Sequence, residues 1–431
     1  MLGASKLNYL MLAGVVTPFV LDRPALTFSV ACLALLPLAA LLGDVTEKVA
    51  FHTSETIGGL LNATFGNATE ALVSIFALKK GLLTVVQVSL LGSVLSNMLL
   101  VLGSAFVAAG LRVKIAHFNR TAATANTSLL LVAVLALLVP AMLTSSNEIT
   151  TQGVLSMSRS TAVLMLAVYV AYLNFQLSSH SKIFEEEDGE ETHKGEHHHR
   201  GLADVALVAL QSQSKPDAVP PKPDATRRTD DPETKIEDGL VAAPQQKDID
   251  LIAPTLLAQR QLARTEASDE DVVLRLDVAL GMLAVITVLV AGFSEVLTGS
   301  LEGFAEAFHF PDAFVGFVLL PLVGNAAEHA TAISMAYRSK IDLAIAVALG
   351  SSTQIALFVL PLMVILGWVI GQPLALDFGS FQTACCALSV LIVAAQAQLG
   401  DVHYLNGLCL VVAYVIIAIA FLYIDDGSSS S

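Results

Sequence analysis

Two glutamates, Glu70 and Glu328, lie inside apolar runs that hold no lysine or arginine to pair with them. A carboxylate at such a depth costs about 3 kcal/mol on insertion scales, so a cation or proton is its expected partner. The surroundings of the two match. Asn67 stands three residues before Glu70 and Asn325 three before Glu328, so each Asn shares a helix face with its Glu. A glycine, Gly66 or Gly324, precedes each Asn; it either admits close backbone approach or lets the helix open and present carbonyl oxygens. On the next apolar run Ser93 and Ser96 share a face, as do Ser351 and Gln354, with Ser352 and Asn97 beside them. A single hydroxyl in a membrane helix more often back-bonds to its own helix. Two matching sets beside two glutamates read as ligands. Apart from His329 everything offered is oxygen, which suits hard cations such as Ca²⁺ with their six to eight oxygen ligands.

The charge arithmetic then suggests a reaction. Glu70 and Glu328 together carry two negative charges, which one Ca²⁺ or two protons would cancel. Sealing the empty, charged pair into a low-dielectric interior would be costly. Only a loaded site should therefore change the side to which it opens, and protons and Ca²⁺ would compete for the same oxygens. The expected metal ligands are Glu70 and Glu328, the transported species Ca²⁺ and H⁺, and no resident cofactor is called for. His329 is a candidate third proton carrier, with a helix-packing histidine an equal reading. Glu47 and Glu55 are candidates for an access path, although a solvated loop carboxylate is the more frequent case.

The elements that must hold these residues are membrane helices. The chain has 431 residues, of which 55% are hydrophobic and 14% charged, with a mean hydropathy of +0.69. A soluble domain carries about a quarter charged residues. The net charge of −15 excludes a nucleic-acid binder with a basic surface. Cys32, Cys385, Cys386 and Cys409 all lie in apolar runs, so neither a disulfide framework nor a cysteine metal site follows. Eleven stretches are long enough to cross a bilayer: 7–22, 26–46, 56–78, 84–110, 122–144, 155–178, 275–299, 312–337, 342–370, 379–399 and 404–424. The alternation of an outer-membrane barrel is absent, so the expected fold is an all-α integral membrane protein.

The chain also repeats itself. Residues 56–97 align without a gap to 314–355: Gly66-Asn67-Ala68 with Glu70 matches Gly324-Asn325-Ala326 with Glu328, and Gly92-Ser93 matches Gly350-Ser351 at the same distance beyond. The copies begin five spans apart, an odd number, so they cross the membrane in opposite directions. Inverted repeats of this kind mark secondary transporters, with the binding site near the midplane where the repeats meet. The expected organisation is a peripheral first span in 1–25, a five-helix repeat in 26–180, a largely disordered acidic and His-rich linker in 181–274, a second five-helix repeat in 275–425 and a polar tail in 426–431. The linker carries Glu185–Asp188, the cluster His193 and His197–His199, and two stretches, 201–212 and 251–264, that could form short amphipathic helices; its composition cannot bury a core. Lys6, Lys48, Arg112, Lys114, Arg120, Arg338 and Lys340 fall on one side, against Arg23, Lys79, Lys80 and Arg159 on the other. This bias predicts a cytosolic N-terminus and linker. Sequons at Asn62, Asn67, Asn119 and Asn126 then lie within spans or on the cytosolic side, and none is expected to be glycosylated.

At these residues the sequence resembles the cation/proton exchangers, the fungal and plant vacuolar Ca²⁺/H⁺ antiporters. The resemblance is carried by Gly66-Asn67-Ala68-Thr69-Glu70 and Gly324-Asn325-Ala326-Ala327-Glu328-His329, and the longer stretches IGGLLNATFGNATE and VGNAAEH are close to the fungal form. It implies eleven spans, one peripheral helix plus two inverted five-helix repeats, and paired glutamates at Glu70 and Glu328. The motif asparagines fall at Asn67 and Asn325, and the polar positions of the next spans at Ser93, Ser96, Ser351 and Gln354. It further implies a vacuolar membrane, loading of Ca²⁺ and sometimes Mn²⁺, and no enzyme activity. The linker departs from the family in its length and His cluster. A Na⁺- or K⁺-coupled Ca²⁺ exchanger is the nearest alternative, a cation channel one of a different class, and an intramembrane enzyme is disfavoured by the lack of a His-Glu-x-x-His motif or a nucleophile–base set.

Overall fold

The computed structural model describes residues 23–53, 55–179 and 275–424. The first span 7–22, the linker with its acidic run, His cluster and helical stretches, and the polar tail lie outside the described residues.

The first half begins with α1, Pro24–Ala50, which Pro24 starts at a position where its missing N–H is no loss. Next come α2, Glu55–Phe65, and α3, Ala68–Lys79. They are followed by α4, Leu83–Gly110, by α5, Arg120–Ser145, and by α6, Thr151–Ser179. The second half repeats the plan: α7, Leu276–Phe308; the pair α8, Asp312–Gly324, and α9, Ala326–Tyr337; then α10, Ile341–Ile370, α11, Ser380–Ala397, and α12, Tyr404–Leu422. Eight of these helices are long and apolar enough to cross a membrane, and the α8–α9 pair, bent by 56°, makes a ninth. In the first half α2 and α3 form the corresponding broken span.

Packing follows the repeat. α1 packs most extensively on α7, its own counterpart, and α5 on α11; α4 packs on α12 while, reciprocally, α10 packs on α6. This exchange is what a two-fold axis between the halves produces. Leu135, Leu164, Val288 and Val369 stay exposed on the outer faces, where lipid would cover them.

Contacts between loops check the inversion independently. The two-residue strands β1, Ala116–His117, and β2, Asp401–Val402, pair antiparallel. The Asn119 amide donates to Asp342 Oδ1 at 2.7 Å, and Arg112 lies over the Tyr337 ring at 4.9 Å. The loops after α4, α9 and α11 therefore share one face, and even numbers of spans separate them. On the opposite face Gln87 donates to the carbonyls of Ala375 and Asp377, Ser158 accepts from the Leu376 amide and Arg159 covers Trp368 at 5.0 Å. We call the first of these face one and the second face two. α3 ends at face two and α9 at face one, so the motif helices run in opposite directions.

Candidate cation-binding site

Both motif spans break at their asparagine. Asn67 has φ −111° and ψ 24°, and Asn325 has φ −83° and ψ 14°, outside helical geometry in the same sense. The helix opens after each glycine, and Gly324 also admits a close approach by Glu70. Each break leaves the N-terminal end of a half-helix, α3 or α9, inside the membrane with its positive dipole end toward the site. Each also leaves the C-terminal end of α2 or α8, whose last carbonyls have no partner within the helix. Glu70 and Glu328 fall in the first turns of α3 and α9. Carboxylates near helix N-termini, with helix C-terminal carbonyls opposite, make an arrangement suited to a cation or its replacement by protons.

An asparagine at a helix start ordinarily caps the helix with its side chain. Neither Asn67 nor Asn325 does so; each reaches into the other repeat. Asn67 Nδ2 donates to Gln354 Oε1 at 2.6 Å, and Asn67 Oδ1 accepts from Ser351 Oγ at 2.9 Å. Asn97 Nδ2 completes the cluster by donating to Ser351 Oγ at 2.9 Å. From the second repeat Asn325 Nδ2 donates to the Ser93 carbonyl at 3.2 Å. Asn67, Ser351, Gln354 and Asn97, and Asn325 with the Ser93 carbonyl, are thus drawn together across the repeat boundary.

The carboxylates lie within electrostatic reach of each other. Both oxygens of Glu70, Oε2 of Glu328 and Oδ1 of Asn325 are buried without a hydrogen-bond partner, and no ion pair to either glutamate occurs among the described residues. Glu70 is buried, whereas Glu328 is half-buried. Gly324 makes room for the first: a Cβ there would come within 2.6 Å of Glu70 Oε1. Gly66 is exposed and sits against the Asn62 carbonyl.

Other predicted residues are placed differently. Ser352 donates to the carbonyls of Val94 and Ala348 and so ties α10 to α4. Ser96 is buried and directed toward Tyr414 of α12. His329 is half-buried, Glu47 is exposed at the face-one end of α1, and of Glu55 only the backbone is described. Both α4 and α10 contain a π-helical turn beside their site residues, Ser96–Val101 and Ile355–Val359. Such turns favour functional positions, and the two start within one residue of equivalent points of the repeat. Three further residues escaped sequence reasoning: Asn126 accepts at Oδ1 from Tyr172 at 3.0 Å and from Thr353 at 3.3 Å. They are single polar residues scattered over α5, α6 and α10 with no shared motif.

Inverted repeats with broken spans are the architecture of secondary transporters. The sodium/calcium exchanger protein family matches residues 24–178 and 278–423, and the chain belongs to that family. It is 37% identical to vacuolar cation/proton exchanger 3 of Oryza sativa subsp. japonica, over 99% of this chain and 88% of the relative. It is also 37% identical to the vacuolar calcium ion transporter of Schizosaccharomyces pombe, over 92% of this chain and 79% of the relative. Among solved structures, native YfkE superposes with a TM-score of 0.69 at 29% identity, covering 97% of this chain and 98% of that one. The H⁺/Ca²⁺ exchanger CAX, at 13% identity, shares the fold with a TM-score of 0.56.

Proposed function

We propose that this protein is a secondary active transporter that exchanges cytosolic Ca²⁺ for lumenal H⁺ by alternating access. Relatives that align over nearly the whole chain carry the names vacuolar cation/proton exchanger and Ca²⁺/H⁺ antiporter, which supports the substrates and a vacuolar membrane. Glu70 and Glu328 take either one Ca²⁺ or protons. Asn67, Asn325, Ser93, Ser351 and Gln354 supply or position the remaining oxygens, helped by the carbonyls beside Gly66 and Gly324. Face one, where the excess of Lys and Arg lies, is cytosolic. α1 and α7, packed on each other across the axis, move to expose the site to one face and then the other. Mn²⁺, also served by oxygen ligands, is a secondary cargo.

The observation that carries this reading is the pair of acids, buried Glu70 and half-buried Glu328, one from each inverted half, neither paired with a basic side chain among the described residues. Such a pair can be crossed through a sealed state only when its charge is cancelled. The reading is tested by Ca²⁺ uptake into acid-loaded vesicles containing the purified protein. Uptake should stop when the pH gradient is collapsed while a Na⁺ or K⁺ gradient is kept. Uptake that follows the Na⁺ or K⁺ gradient would assign the coupling to those ions, and flux that follows voltage without proton movement would make the protein a channel.

A further inference from the structure

The two repeats, alike in sequence around the site, are packed differently at matched places. The half-helix α8 lies tight on α4. A Cβ at Gly92 would run into the Phe317 carbonyl and come within 2.8 Å of Pro321. A Cβ at Gly316 would come within 2.6 Å of Val88. At the end of α8 the Cβ position of Gly324 is 2.6 Å from Glu70 Oε1. Small residues let membrane helices approach this closely. Val85, Val88, Gly92 and Ser96 share one face of α4, and all four are buried.

The aligned places of the other pair, α2 and α10, are open. Gly350 matches Gly92 and has nothing within 4 Å of its Cβ position. Gly66 matches Gly324, yet it is exposed, and no atom of Glu328 lies within 4 Å of its Cβ position. Gly58 matches Gly316, but its nearest neighbours are Ala50 and Thr53, at and just beyond the end of α1, with Ala50 Cβ at 3.2 Å. Leu343, Ala346, Gly350 and Gln354 form the corresponding face of α10, and each is half-buried or exposed. That face runs from the face-one end of α10 to the site. Half-buried Glu328 and exposed Thr331 of α9 follow the same pattern, whereas their counterparts Glu70 and Val73 are buried.

Resting on the alternating-access reading above, we propose that this structure is the state open to face one and shut to face two, and that Gly350 seats a second latch used in the opposite state. There α2, carried by α1, packs on α10 as α8 packs here on α4, and α8 leaves α4. The residues for it are in place. Gly59 is aligned with Phe317, whose carbonyl meets Gly92, and Ala346 is aligned with Val88. A glycine inside a helix costs about 1 kcal/mol relative to alanine, and nothing in the present packing uses the room at Gly350. The opposite state fills it.

The test uses the full chain in sealed vesicles. Gly350→Ala has space here but would obstruct the second latch, as a Cβ at Gly92 would obstruct the first. It should lower the maximal rate of uptake roughly tenfold, the effect of overpacking a helix contact in one state of the cycle. The Ca²⁺ concentration for half-maximal uptake should not move. Ala346→Cys and Val88→Cys report the two clefts through labelling by a membrane-impermeant maleimide, read at the introduced position by mass spectrometry. Ala346→Cys should react from face one and Val88→Cys should be protected. Adding Gly92→Ala should reverse this order, with Val88→Cys now reacting from face two. An unchanged maximal rate in Gly350→Ala would overturn the latch. So would labelling of both positions rising together with Gly92→Ala, which a loosened fold gives. If Gly92→Ala does not fold, the Gly350→Ala rate and the labelling without Gly92→Ala still decide. Uptake by the unaltered protein that follows voltage with no counter-ion would instead overturn the alternating-access reading itself.

Discussion

Asn67 of the first half donates its side-chain amide to Gln354 of the second at 2.6 Å, so the break in one motif span is tied to the site-bearing helix of the other. The same Asn accepts from Ser351. Ion ligands on α3 and α10 are thereby held at fixed spacing across the boundary between the repeats. Replacing Asn67 by Ala leaves the buried Ser351 hydroxyl without its acceptor and half-buried Gln354 without its donor, at about 1–3 kcal/mol. We expect a lowered melting temperature in detergent and weaker Ca²⁺ uptake. Gln354→Ala, which removes one of these bonds, should weaken uptake less. Equal effects from the two variants would show that the amide is not the hub of the network.

A side chain at Gly324 should displace Glu70. A Cβ there would meet Glu70 Oε1 at 2.6 Å, and the carboxylate would have to turn away from the site. Gly324→Ala is expected to raise the Ca²⁺ concentration for half-maximal uptake by roughly tenfold, about 1.4 kcal/mol. Gly350 has open space where its Cβ would stand, and Gly350→Ala should leave that concentration unchanged. A Gly324→Ala protein with ordinary Ca²⁺ dependence would mean that the position of Glu70 seen here is not the binding one.

Asn126, Tyr172 and Thr353 join α5, α6 and α10 through two hydrogen bonds to one oxygen. Asn126→Leu removes that acceptor and strands the buried Tyr172 hydroxyl, at about 1–3 kcal/mol, while Thr353 keeps its bond to the Leu349 carbonyl at 2.8 Å. Thermal unfolding should shift downward while the ratio of protons to Ca²⁺ moved stays the same. A changed ratio would place this cluster in the transport chemistry.

Deleting 201–248 should leave exchange largely intact, because the residues that form the site all lie between 65 and 97 or between 321 and 355. Comparison of uptake at matched expression checks this, and loss of transport with normal insertion would show that the linker acts on the site.

Much of this arrangement was legible in the sequence because it is governed by strong, local penalties. Glu70 and Glu328, their asparagines and the constant spacing of the repeat stand out against an apolar background, and parity alone supplies the inversion that the loop contacts reproduce. What could not be read was geometry. The choice of Asn67 and Asn325 to reach across rather than cap their helices depends on tertiary neighbours. So does the turning of Ser352 toward backbone carbonyls and of Ser96 toward Tyr414, for all of these serines look alike in sequence.

The account stands on the two acids acting as one exchangeable site, and one experiment addresses that directly. Ca²⁺ uptake and proton efflux are recorded together in acid-loaded vesicles for the unaltered protein, Glu70→Gln and Glu328→Gln. The unaltered protein should move protons out as Ca²⁺ enters, and each variant, inserted and folded, should do neither. Coupled uptake retained by either variant would contradict the assignment.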